Sequence, residues 1–168
     1  MLKWTWVLMV MVLSSQFAHA GITLNNGLKF VGEARLKYMF WNVYDAQLFT
    51  TSGQYVPGEY PIQLTLTYLR DFTAKDLVKA TNEQWQHLGK FDLKNTYDKQ
   101  LLSLWPNIKK GDSLTLLTNA KGQATFLHNT KELGVINGRD FAENFLAIWL
   151  DKDTSHPEFR RELIGDKP

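Results

Sequence analysis

The chain has 168 residues, 44% of them hydrophobic and 21% charged, with a formal net charge of +2 and no cysteine. This composition suits one globular domain large enough to bury most of its apolar surface, and it excludes disorder. A charge so near zero gives no electrostatic drive toward nucleic acid, and the lack of cysteine excludes disulfides, thiolate metal sites, thiol nucleophiles and a lipid-anchored cysteine.

Residues 1–20 read as a secretory signal peptide: Lys3, a mainly apolar run, a short polar stretch, then Ala18-His19-Ala20 with small residues where a signal peptidase cuts. The apolar run is too short to span a bilayer. Cleavage after Ala20 is expected to leave residues 21–168 as one soluble domain, periplasmic or secreted, with no membrane span. One of the two net positive charges leaves with Lys3.

Two or three strands are expected in the first third, where Gly27 to Phe40 and Asn42 to Phe49 are rich in aromatic and aliphatic residues and Thr50 to Gly53 form a break. Ile62, Leu64, Leu66 and Tyr68 then alternate with Gln63, Thr65 and Thr67, the pattern of a half-buried antiparallel strand. Continued by parity, that alternation puts Arg70 on the apolar side. A helix follows: Thr73 is its cap, Asp76 completes a variant capping box, and Phe72 with Leu77 form a hydrophobic staple. Leu77, Thr81, Trp85 and Leu88 make its buried stripe, and Gly89 ends it.

A second helix is expected from about Asn95 to Trp105, stopped by Pro106. Asp112 to Thr118 and Gln123 to Asn129 form a hairpin around Asn119-Ala120-Lys121-Gly122, with a further short strand over Lys131 to Ile136. The carboxyl end is helical, with a stripe of Phe141, Phe145, Ile148 and Trp149, a second capping box from Ser155 to Glu158, and Gly165 as a stop. Strands first, then helices, a hairpin and terminal helices predict an α+β fold in which helices cover one face of an antiparallel sheet. The βαβ order and glycine-rich strings of nucleotide-binding folds are absent.

Three segments carry a resemblance: Gly32-Glu33-Ala34-Arg35 leading into Asn42-Val43-Tyr44-Asp45-Ala46-Gln47-Leu48-Phe49; Tyr68-Leu69-Arg70 ahead of a helix containing Trp85; and Ile136-Asn137-Gly138-Arg139-Asp140-Phe141, Ile148-Trp149-Leu150 and Arg161-Glu162-Leu163-Ile164-Gly165. In this order the chain resembles the chalcone isomerase-like family, in its secreted bacterial branch. The resemblance implies an open-faced β-sandwich. The family includes plant isomerases that close a chalcone ring, non-catalytic relatives, and plastid fatty-acid-binding proteins. In the isomerases an arginine stabilises charge on the substrate oxygen; in the binders an arginine and a tyrosine hold a carboxylate while the tail lies between sheet and helices. By position Arg35 matches the arginine and Tyr44 the tyrosine, where the isomerases have threonine. The isomerases' further lysine, tyrosine and asparagine cannot be placed in this chain.

The expected function is therefore non-catalytic binding of a small amphipathic anion such as a fatty acid, without cofactor or metal, by Arg35, Tyr44, Tyr68 and Arg70. For each residue a plainer reading competes: a solvated strand-end arginine for Arg35, a core tyrosine for Tyr44, a structural ion pair for Arg70. Arg35 and Tyr44 are an odd number of residues apart, so they share a face only if a turn or bulge near Met39 to Asn42 sets the register. Two other functions stay open: an isomerase or lyase using Arg35 to stabilise an enolate-like charge, and a ligand-free envelope module. His87, His128 and His156 lack metal-binding spacing, and Ser52 and Ser155 lack a hydrolase setting.

Overall fold

A computed structural model describes residues 27–166; the expected signal peptide and its cleavage site lie outside them. Six strands, β1 (Lys29–Tyr38), β2 (Trp41–Thr50), β3 (Ile62–Tyr68), β4 (Ser113–Thr118), β5 (Ala124–His128) and β6 (Lys131–Ile136), form one antiparallel sheet in sequence order. Four helices complete the domain: α1 (Ala74–His87), α2 (Leu93–Leu104), α3 (Arg139–Leu150) and α4 (Pro157–Leu163). The α+β architecture with an open-faced sheet is the one the sequence predicts.

Helices gather on one face because only that face is apolar along its length. Ala34, Ala46, Leu48, Leu64, Leu66, Leu114, Leu116 and Phe126 point there and are buried with Phe141, Phe145, Leu146 and Trp149 of α3. The α4 helix packs against β1 and β2, and α1 packs on α2 and α3. The Trp85 indole N–H of α1 donates to the Asn144 carbonyl at 2.9 Å, tying α1 to α3. On the opposite face β3 is less exposed than simple alternation predicts. Gln63 and Thr65 are buried there, and the Thr65 and Thr115 hydroxyls hydrogen-bond at 3.0 Å, because a central strand is shielded by its neighbours' side chains.

The α1 start is as predicted: Asp76 N–H donates to the Thr73 hydroxyl and Thr73 N–H to the Asp76 carboxylate. The predicted second capping box does not form. His156 occupies the cap of α4 with Pro157 in the first turn, the Ser155 hydroxyl donates to Gln84 Oε1 at 2.5 Å, and Glu158 pairs with Arg161. Proline's fixed φ suits the first helical turn, so Ser155 becomes a tie to α1 instead.

Candidate ligand-binding site

A cavity of about 200 Å³ lies between sheet and helices at one end of the sheet. Its floor is formed by Leu36 of β1, Val43 and Tyr44 of β2, Leu66 and Tyr68 of β3, and Leu114 of β4. Its roof is Leu77, Ala80 and Thr81 of α1 and Phe145, Ile148 and Trp149 of α3, with Trp105 and the α4 residue Phe159 closing the ends. Asp76, Gln84 and His156 form a polar rim. An engineered apolar cavity of roughly 150 Å³ already admits benzene, so this one has room for a ring or a short acyl segment.

The interior offers hydrogen-bond donors and, among the described residues, no lysine or arginine. Trp149 Nε1 donates to the Tyr44 hydroxyl oxygen at 2.8 Å, which leaves the Tyr44 hydrogen unused. The Tyr68 hydroxyl has no hydrogen-bond partner among the described residues, and its ring meets that of Tyr44 edge-on at 5.7 Å. Burial pushes both phenols well above their ordinary range; for Tyr44 the Trp149 hydrogen bond opposes the shift, and for Tyr68 the neighbouring Tyr44 adds to it. Both therefore stay protonated and act as donors. The Trp105 indole N–H, buried in the wall, lacks an acceptor among the described residues. At the rim, burial and then the neighbouring His87 hold the His156 imidazole below its ordinary range.

Of the four predicted residues, the structure brings two into this cavity. Tyr44 and Tyr68 are paired across β2 and β3 and both line it. Arg35 lies on the other face of the sheet. A two-residue turn pairs Tyr38 with Trp41 and Lys37 with Asn42, and continued without interruption that register would set Arg35 opposite Tyr44. Val43 is an extra residue in β2, so the next pairs are Leu36 with Tyr44 and Arg35 with Asp45. The bulge turns Tyr44 inward with Leu36, and Arg35 outward. There its guanidinium makes a forked contact with Asp45, at 2.5 and 2.8 Å.

Arg70 also falls outside. The strand ends at Tyr68, where Gly111 N–H takes the Tyr68 carbonyl and Leu69 N–H turns to the Val43 carbonyl. Parity has no meaning beyond that point, and the exposed Arg70 stacks over the Trp41 ring at 4.2 Å.

A family model described as chalcone isomerase-like matches residues 14–165. The chain belongs to the chalcone isomerase-like family. Its fold is shared with a fatty-acid binding protein of Arabidopsis thaliana, at a TM-score of 0.68 and 8% identity, covering 85% of this chain and 89% of that one. No curated protein matches the sequence.

Two members of the site escape a reading by stripes. Trp105 and Trp149 look like core residues of helices, yet one lines the cavity and has an N–H without an acceptor among the described residues, and the other orients Tyr44. Their signal was present in the residue type, since a buried indole N–H needs an acceptor and so points to something polar nearby.

Proposed function

We propose that this chalcone isomerase-like protein binds a small amphipathic molecule with an acyl tail, such as a fatty acid, and performs no chemistry on it. The observation that carries this reading is the cavity itself: apolar walls between sheet and helices, lined by two phenols, Tyr44 and Tyr68, whose hydroxyl hydrogens have no acceptor among the described residues. The fatty-acid binding protein of like fold supports the ligand class. The tail lies against Leu36, Leu66 and Phe145, and the head accepts from the two phenols.

The absence of a lining lysine or arginine among the described residues gives the ligand a definite preference. An ionised carboxylate buried without a cation costs several kcal/mol, so the cavity favours the neutral acid, or an ester or alcohol of similar shape. Affinity for a fatty acid therefore rises as pH falls toward the carboxyl range. Processing after Ala20 and residence in the periplasm, as in a secreted bacterial branch, belong to the same proposal.

Mass spectrometry of lipids co-purifying with the protein, followed by displacement of a fluorescent fatty acid at pH 5.5 and 8, tests the reading. Micromolar binding that tightens at the lower pH is expected. No acyl compound bound at micromolar concentration, or binding that tightens at the higher pH, would sink it. Amino-terminal sequencing of protein from an envelope fraction is expected to begin at Gly21.

A further inference from the structure

The turn joining β1 to β2 is built from residues that turns avoid. Glycine, asparagine and aspartate are usual in a two-residue hairpin loop. Here the loop is Met39-Phe40, with Met39 in the left-handed region at φ 53°. The tip is apolar and in water: Tyr38 is 67% exposed, Met39 76%, Phe40 94% and Trp41 56%. Four adjacent large apolar side chains held out on a hairpin form a surface that isolated exposed residues do not.

Three further observations say what this tip meets. Tyr38 and Trp41 flank the more apolar apex, the arrangement of amphipathic rings at the headgroup level with hydrocarbon beyond. Positive charge surrounds it: Lys37 and Arg70 are exposed, Arg70 lies on the Trp41 ring, and neither has an acidic partner among the described residues. Asp71, beside Arg70, is occupied by the Lys109 ammonium and the Lys110 backbone N–H; Asp76 and Asp112 nearby are engaged in a helix cap and a turn. The tip also sits at the cavity's end of the sheet. Leu36 and Val43, lining residues on its two strands, are two positions short of Tyr38 and Trp41.

We propose that the Tyr38–Trp41 hairpin is a membrane-docking finger that inserts Met39 and Phe40 among the acyl chains of an anionic bilayer surface, with Lys37 and Arg70 on the headgroups. Docking places the cavity's end of the sheet at the lipid surface, from which a single acyl ligand can be loaded. The loading role rests on the proposed binding function; docking itself does not.

Co-sedimentation of the purified protein with vesicles, without added fatty acid, tests docking directly. Wild-type protein is expected to bind vesicles containing phosphatidylglycerol, and to bind pure phosphatidylcholine or vesicles in high salt more weakly. The double variant Met39→Ser and Phe40→Ser loses about tenfold or more in vesicle affinity. Lys37→Gln and Arg70→Gln each lose about fivefold on anionic vesicles only. Brominated acyl chains should quench wild-type fluorescence more than that of Trp41→Phe. Loading of fatty acid from vesicles slows in the tip variant, while its affinity for monomeric fatty acid is unchanged. Protein that stays in the supernatant, equal binding by the tip variant, or a tip whose loss abolishes only self-association would overturn the proposal. Vesicle binding without any fatty-acid binding would instead reject the cavity's proposed ligand and leave docking standing.

Discussion

Tyr44 and Tyr68 are neighbours in one cavity, but their hydroxyls have different obligations. Tyr44 accepts from the buried Trp149 indole, so Tyr44→Phe strands that N–H and should cost about 1–3 kcal/mol of stability, read in a urea titration. Tyr68 has no such duty. Tyr68→Phe should leave the midpoint nearly unchanged while weakening fatty-acid binding about tenfold, the loss of one hydrogen bond to the head group. Equal affinity in Tyr68→Phe and wild type would remove Tyr68 from the site. For Arg35 the expectation is the reverse of a clamp. Its pair with Asp45 is partly solvated and on the uncovered face, so Arg35→Ala should cost about 0–1 kcal/mol and leave ligand affinity within about twofold. His156 gives a pH signature. Its folded-state value is held below the ordinary 6.5, so its contribution is fully present above that pH and declines as pH falls through the folded value, because the unfolded chain takes up the proton first. The fall in thermal midpoint between pH 7.5 and 5.5 should be smaller in His156→Gln; an identical fall would refute that assignment.

Between elements, close approach decides what a motif means. Gly32 belongs to one of the family's motifs, and its role is contact. A Cβ there would lie 2.6 Å from the carbonyl oxygens of Glu162 and Leu163 and 2.9 Å from the Gly165 nitrogen, all at the end of α4. Gly32→Ala must push α4 off β1, and overpacking of this kind costs about 1–3 kcal/mol or more. Since Phe159 of that helix closes one end of the cavity, ligand affinity should fall along with the thermal midpoint. A variant as stable as wild type would show that α4 moves without resistance. The Val43 bulge acts in the same indirect way: one residue without a β1 partner, with no chemistry of its own, selects which side chains face the cavity.

At the scale of the whole molecule, one open-faced sheet and its helices leave a small space at one end, and the groups facing it set the chemistry. Closing a chalcone ring requires charge stabilisation on an oxygen within a site that holds two aromatic rings. Here the interior offers neutral donors, the rim carries Asp76 and His156, no lysine or arginine lines the space among the described residues, and its volume is about 200 Å³. No acceleration of 2′-hydroxychalcone isomerisation over the solution rate is expected. Stereoselective loss of the chalcone absorbance band would show the enzyme reading to be correct.

Much of this was legible in the chain itself. The alternation at Ile62 to Tyr68, the Thr73 and Asp76 cap and the helical stripe from Phe141 to Trp149 depend on near neighbours, and so does the order of strands and helices that follows from them. The family motifs reached the fold because their order along the chain is retained in sequence. The composition of the site was another matter. Whether Tyr44 or Asp45 stands opposite Arg35 depends on a single inserted position in β2, which changes the face that the side chains beyond it share with their β1 partners. Whether Arg70 continues β3 depends on where Gly111 takes the last carbonyl. Those are contacts between distant segments, and local pattern carries no record of them. The Met39-Phe40 turn was visible as letters, but only the folded hairpin showed that they point into water beside the cavity.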